Sequence, residues 1–464
     1  MLEKIKIWNR HYSGTAEVLA QMAKVESVAT AFNTNIDAVL KISGKTLARI
    51  AADLGVEWEE LNNPEHHYLQ TPQDFVKGAF RCFSKGIAEE WLADKKVFDW
   101  MVKNIGFDRL QMGGQGGIVA NAMAVCGVKK VYNHCSSLPE QQAKLFADLG
   151  NLLSFDENGM PQKAHKINRA TDVPLIHWII EFNRGDSFEL GEYKITCPKA
   201  NRFIATYDPL NSRLVMDANF TAYLNQHPVN AVVLSGYHAL TAENDGVSLV
   251  EGSAPVIKRW QNDGALIHLE VASTQDKLVR QAIVEKIASQ ADSIGLNERE
   301  AIEVLQVIGE DDLAAICEAD TSAVNLLEAV LKIKQKVKCA RIQLHMFGMY
   351  LTIQNKNFRL SPQQNRDGMC LAATVAAGKA GTGSLDNHDK LLWANGRDVC
   401  TEGLEALQAV GGYIGDDNFI DEGIGSYLDF DIIAVPTILI AKPVTLVGMG
   451  DTISSVSLIG AMAA

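Results

Sequence analysis

The sequence predicts an α/β fold, and three observations carry the prediction. Apolar runs of strand length at Ala231–Leu234, Ala265–Glu270 and Ser293–Leu296 are separated by helical stretches. A glycine turn, Gly113-Gly114-Gln115-Gly116-Gly117, opens the apolar helix Ile118–Cys126. A further apolar run, Asp431–Ile440, leads into Gly448-Met449-Gly450-Asp451 and a helix-like tail, Thr452–Ala463.

Composition bounds the function. At 464 residues the chain holds up to two or three domains, and 47% hydrophobic residues supply a sizeable core. A formal net charge of −13 argues against nucleic acid or an anionic membrane as partner. Any phosphorylated ligand must therefore meet a local basic cluster. The eight cysteines form no CxxC or zinc-like pairing, as expected of reduced thiols in the cytoplasm. Met1–Arg10 has no apolar signal core, and no window approaches 18 uninterrupted apolar residues.

In order along the chain, residues 11–25 read as a helix and Ser27–Phe32 as a strand. The strand runs into Asn33-Thr34-Asn35-Ile36-Asp37. Asn33, Asn35 and Asp37 alternate, so an extended backbone projects all three the same way. Together they suit several sugar hydroxyls; the other reading is an Asx-type turn closing the strand. Residues 44–110 are mostly helical and charged and contain Glu89 and Glu90, which also read as a solvated helix face. The glycine turn allows close backbone approach at a helix N-terminus but fits neither Walker A nor Rossmann spacing. Residues 127–160 continue the main sheet with a strand and a helix. Lys163, His165, Lys166 and Arg169 precede the alternating run Pro174–Phe182, and Arg184, Lys199 and Arg202 follow it. This basic concentration is what a sugar phosphate needs, or else ordinary surface charge.

In the second half, period two puts His268 and Glu270 on one face at a strand end. Asn297 and Glu300, three apart, share a helix face and equally read as an N-cap with its capping box. Cys339–Leu351 reads as one strand, and the apolar neighbours of His345 read as those of a core histidine. Asn365–Gly368 reads as a turn and 369–412 as helices. The final glycines, Gly448 and Gly450, let the backbone turn and approach a ligand. The helix after them presents unpaired N–H groups and the positive end of its dipole. A carboxylate there, Asp451, takes a proton from an attacking hydroxyl while the amides stabilise a transferring phosphoryl group; the alternative is an Asp N-cap.

Five patterns occur in order: Asn-x-Asn-x-Asp at 33–37, Gly-Gly-Gln-x-Gly at 113–117, His-x-Glu at 268–270, Asn-x-x-Glu at 297–300, and Gly-Met-Gly-Asp-Thr-Ile-Ser-Ser at 448–455. In this order they resemble the ADP-dependent phosphofructokinase and glucokinase family of archaea, within the ribokinase-like kinases. The resemblance implies a ribokinase-like three-layer α/β/α domain with a smaller, discontinuous α+β lid. Expected bounds are 1–37, 113–164 and 206–464 for the large domain and 38–112 and 165–205 for the lid. Implied sugar contacts are Asn33, Asn35, Asp37, Glu90 (Glu89 as fallback), Gln115, Gly116, Gly117 and His177, with Lys163 and Arg184 from the basic set. Asp451 is the implied base. Gly448, Gly450 and Arg202 meet the phosphates, and Asn297, His345 and Val444, beside Pro443, serve the nucleotide. Glu270 and Glu300, with Asp451, are the implied Mg²⁺ set, mostly through water. The family usually continues past this last helix, so a C-terminal element is expected to be missing or short here.

The implied reaction moves the β-phosphate of ADP to a hexose, giving AMP. The basic set favours fructose 6-phosphate; Glu90 with His177 favours glucose, as an alternative or a side activity. An ATP-dependent kinase and a non-catalytic sugar sensor, both on the same scaffold, compete with this reading.

Overall fold

A computed structural model describes residues 1–62, 68–274 and 276–464. Strands that are apolar on both faces must be covered on both faces. Here they form an eleven-stranded sheet. Its order is Ile424–Tyr427, Phe430–Pro436, Met349–Asn355, Arg341–Met346, Ser293–Leu296, Leu266–Glu270, Ala231–Leu234, Val28–Ala31, Val131–Asn133, Leu152–Phe155, Pro161–Lys163. From Arg341–Met346 to Leu152–Phe155 the strands are parallel; the outer ones are antiparallel. Helices pack on the sheet as the outer layers of the expected three-layer α/β/α domain.

A second, six-stranded sheet forms the smaller lid domain. Its order is Tyr68–Leu69, Glu89–Ala93, Asn201–Tyr207, Ile176–Phe182, Asn35–Lys41, Arg109–Gly113. These strands alternate. Trp91, Trp178, Ile180, Phe203 and Ala205 are buried in a core of their own under the helices Gly44–Asp53 and Pro72–Lys85. Asp37, Glu90, His177 and Thr206 fall on the opposite face. The helix Pro72–Lys85 is bounded by its sequence: Thr71 and Asp74 form a capping box, Pro72 opens it, and Gly86 closes it at φ +64°.

Four expectations are corrected. The smaller sheet begins at Asn35 and ends at Tyr207, because Asn35 pairs with Gly113 and Tyr207 with Ile176; Asn35, Ile36, Asp37, Gly113, Thr206 and Tyr207 therefore leave the large domain's expected ranges. The helix at 11–25 is three pieces, Leu2–Ser13, Thr15–Ala20 and Met22–Lys24. Asn365–Gly368 is no turn but lies inside the helix Pro362–Thr382, capped by Ser361 and Gln364, where Asn365 is buried against Arg341. Cys339–Leu351 is a hairpin turning at Phe347-Gly348, with Gly348 at φ +83°.

The helix Pro362–Thr382 packs along the last helix, Met449–Ala463, over most of its length. Their closeness depends on glycine: a Cβ on Gly368 would strike the Ser457 carbonyl and lie 2.5 Å from the Ala461 nitrogen. Gly368→Ala is expected to lower unfolding stability by about 1–3 kcal/mol, because backbone cannot yield as a side chain does. A urea midpoint with unchanged slope measures it; an unshifted midpoint would mean the two helices part freely.

Candidate active site

In an open parallel sheet the loops after the strand C-termini gather in one crevice. Asn33 follows Val28–Ala31, Gly236 follows Ala231–Leu234, Glu270 ends its strand, Asn297 follows Ser293–Leu296, and His345 lies near the end of its own. The last helix arrives there with its N-terminus. Gly448 is its N-cap at φ +61°, so Asp451 sits in the first turn and is not the cap. A Cβ on Gly448 would lie 2.8 Å from Ile118 Cδ1, so close approach as well as conformation requires glycine.

Asp451 is 9% exposed. Its Oδ1 accepts from Gln115 Nε2 (2.7 Å), and Gln115 Oε1 accepts from the Gly236 N–H (3.1 Å). Burial pushes the Asp451 carboxyl up; the Gln115 bond and the charges of Lys379 and His238 oppose it. Lys379 Nζ donates to the Gly448 carbonyl (2.9 Å) and Thr452 Oγ1 (3.0 Å). Burial brings its pKa down to about 8, with Asp451 opposing.

Opposite Asp451 lies a polar pocket. Asn33 and Asn35 are buried with both Oδ1 atoms unpartnered, and Asn35 Nδ2 donates to Asp37 Oδ1 (3.1 Å). The glycines at 113–117 are explained by proximity. A Cβ on Gly113 would strike Asp37, and one on Gly114 would lie 2.6 Å from the Asn33 carbonyl. Gly116 donates its N–H to that carbonyl (2.8 Å), and Gly117 packs beneath Met112; both are buried and serve the turn's packing, leaving Gln115 as the motif's side chain in the site.

The lid adds His177, with Nε2 3.1 Å from Asp208 Oδ2 and Nδ1 3.8 Å from Glu90 Oε1. Glu90 also accepts from Thr206 Oγ1 (2.6 Å). Glu89 is engaged elsewhere, by Arg81 (3.0 Å) and the Trp91 indole (3.0 Å). Burial would lower the His177 pKa, but the Asp208 bond and charge, then Glu90 and Asp37, lift it to about 9.

Three carboxylates crowd the other end. Glu270 is 4% exposed, with Oε2 unpartnered, 3.6 Å from both His268 Nε2 (through Oε2) and His345 Nε2 (through Oε1). Burial first, then the charges of Asp451 and Glu300, push its pKa well up. Glu300 and Asn297 do form a capping box (2.8 and 3.0 Å), so Asn297's carbonyl oxygen is spent on the helix. Burial lifts Glu300 to about 8. His268 is held between Ser293 Oγ (2.9 Å) and Ser454 Oγ (2.6 Å) and kept neutral by burial. Among the described residues no three such side chains converge at direct metal-ligating distance.

Beside the Asp451 turn opens a cleft of about 770 Å³ lined by His345, Tyr350, Ala377, Ile438, Pro443 and Leu446. His345, 7% exposed, is held down to about 4 by burial. Val444 does not line it. Its N–H is bound to the Ala380 carbonyl (2.7 Å) and its side chain is 68% exposed against Gly383.

The basic set disperses. Lys163 lies on the outermost strand of the large sheet, paired with Asp148. Arg184 is exposed at the turn after Ile176–Phe182, beyond reach of His177 at that strand's start. Arg202 shares a sheet face with Thr206 but sits opposite Glu181 while Thr206 sits opposite His177. Four residues of strand separate them by about 13 Å, and Arg202 lines a groove with Lys41 and Lys199. Asp208, His238, Thr206 and Lys379 belong to the site without having been expected. Only Lys379 carried a sequence signal, a lone charge in the apolar helical run 369–380.

The family model described as "ADP-specific Phosphofructokinase/Glucokinase conserved region" matches residues 26–460. An ADP-dependent glucose/glucosamine kinase of Pyrococcus furiosus is 31% identical over 98% of each chain. An ADP-specific phosphofructokinase of Methanosarcina acetivorans is 27% identical over 99% of this chain and 98% of its own. A solved ADP-dependent kinase in complex with fructose-6-phosphate and ADPβS is 28% identical, covers 98% of both chains and superposes with a TM-score of 0.83.

His177 is expected to titrate near pH 9 by NMR. Its contribution to stability is fully present below the unfolded value of about 6.5 and is lost as pH rises through about 9. In Asp208→Asn the midpoint should fall well below that of the wild type; an unmoved midpoint would remove Asp208 as the cause.

Proposed function

Because the chain belongs to the ADP-specific phosphofructokinase/glucokinase family, we propose that it transfers the β-phosphoryl group of ADP to a hexose hydroxyl and releases AMP. The observation that carries this reading is the juxtaposition of Asp451, in the first turn of a helix whose N-terminus is open, with the unpartnered Asn33 and Asn35 oxygens beside Asp37. The acceptor hydroxyl sits against Asp451, which takes its proton as the oxygen attacks the β-phosphorus. The bond from that phosphorus to the bridging oxygen breaks, and AMP leaves with the electron pair. The Met449, Gly450 and Asp451 N–H groups and the helix dipole stabilise the phosphoryl oxygens. Asn33, Asn35, Asp37 and Gln115 orient the sugar, and the apolar cleft at Pro443 and Leu446 takes the adenine. Arg202, on the cleft face of the lid, reaches the phosphates only if the lid closes on them.

Magnesium fits the acidic end of the site. The buried, unpartnered Glu270 oxygen, with Glu300 and Asp451, would hold a hydrated ion, which when bound neutralises diphosphate charge. Water would complete its coordination.

The acceptor we infer is fructose 6-phosphate, giving fructose 1,6-bisphosphate. Its support is the Methanosarcina relative and the fructose-6-phosphate complex of similar structure, with the His177 imidazolium as a cation at the pocket. Glucose has the Pyrococcus furiosus glucose/glucosamine kinase relative and one observation of the site: Glu90 beside His177 and Thr206 suits an uncharged hydroxyl and repels a phosphate.

Purified protein is expected to release AMP from ADP only with sugar and Mg²⁺, with none from ATP and none in excess EDTA. Fructose 6-phosphate preferred over glucose supports the first acceptor; the reverse replaces it with glucose. Asp451→Asn should lower kcat about a thousandfold with substrate affinity retained, since it removes the base and leaves the pocket. Near-full turnover in that variant would exclude Asp451 as the base.

A further inference from the structure

The phosphoryl transfer from ADP gives no task to Lys379. It is the one charge in the helical run 369–378 and its continuation to Ala380, otherwise built from Met, Cys, Leu, Ala, Thr, Val and Gly. Placing an ammonium there is costly unless its hydrogens are bonded. No ion-pair partner stands against it among the described residues; its bonds go to the Gly448 carbonyl and the Thr452 hydroxyl. Thr452 Oγ1 also donates to the Gly448 carbonyl (2.7 Å). One carbonyl thus accepts from both, at the residue whose φ of +61° starts the last helix. With that carbonyl tied back into the protein, the Met449 and Gly450 N–H groups at the helix start have no intrahelical partner. The ammonium lies behind the helix end, where it adds to the roughly half-charge of the dipole. A cavity of about 420 Å³, bounded by Ile118, Asn121, Thr445 and Val447, adjoins the Lys379 side chain.

We infer that Lys379 is a positioning residue for phosphoryl transfer: from inside the large domain it locks the Gly448–Thr452 turn and sets a positive charge behind the anion site. This rests on the phosphotransfer reading of Asp451 and its turn. The turn's N–H groups matter most when the phosphoryl group lies between donor and acceptor, so the loss should fall on the transition state more than on bound ADP.

The test compares Lys379→Met and Lys379→Arg in the full chain. In Lys379→Met, kcat should fall about 50-fold while KM for ADP and sugar stays within about threefold. The affinity for AMP plus fluoroaluminate with bound sugar, a mimic of the transferring group, should fall by a similar factor, and AMP alone should bind as in the wild type. Lys379→Arg should recover kcat to within about tenfold of wild type, since the adjoining cavity gives a guanidinium room. A melting temperature for each variant accounts for any loss of fold. The inference is overturned if Lys379→Met keeps wild-type kcat. It is also overturned if kcat and melting temperature fall and KM rises together in both variants, which is the signature of a packing role alone. If the wild type neither turns over ADP nor binds the fluoroaluminate mimic, the phosphotransfer reading itself fails, and this inference with it.

Discussion

The close packing of Pro362–Thr382 against Met449–Ala463 is the constraint on which the site depends. A helix N-terminus is useful only where it points, and this one must end above the C-terminal edge of a parallel sheet. Two glycines, Gly368 and Gly460, let the helices approach until backbone meets backbone. The last helix is buried almost throughout, so it has no freedom to slide. Gly448, Asp451 and Thr452 inherit their positions from that contact.

Around this anchor the charges are sorted by environment more than by number. The chain is acidic overall, and its site gathers Asp37, Glu90, Asp208, Glu270, Glu300 and Asp451. Burial raises Asp37, Glu270, Glu300 and Asp451, so each favours its protonated form unless a cation or hydrogen-bond donor stands against it. Asp208 spends its charge on holding His177 protonated. His268 and His345, buried without such a carboxylate bond, are neutral. Three histidines near one crevice thus differ in charge because of what each touches.

The sequence made the frame legible because its strong signals are local. Apolar runs bounded by glycine and Asn located the parallel strands, and Gly448-Met449-Gly450-Asp451 located the helix start. Asp451, Asn33, Asn35, Gln115 and Glu270 come together because each follows a strand or opens a helix at the same sheet edge. What was not legible depends on pairing across the chain. Lys163 and Arg184 are near His177 in number but are carried off by an edge strand and by the turn that leaves the far end of Ile176–Phe182. Val444 neighbours Pro443 but is turned outward by one backbone bond to Ala380. Asp208 had no pattern of its own; only the register of Asn201–Tyr207 against Ile176–Phe182 brings it to His177.

The passage from one sheet to the other is short. Val28–Ala31 lies near the middle of the large sheet, and Asn35–Lys41 already belongs to the small one. The first excursion into the lid returns through Gly113 and Gly114, where Gly116 is bonded to the Asn33 carbonyl. The second returns to Asn211, whose side chain donates to the Thr34 carbonyl (3.3 Å). Three of the four passages between the sheets therefore meet at Asn33 and Thr34, where Asn33, one of the side chains assigned to the acceptor, also stands. An acceptor held there as proposed would span the passage between the two sheets, so its binding and the lid's attachment would share the same few residues.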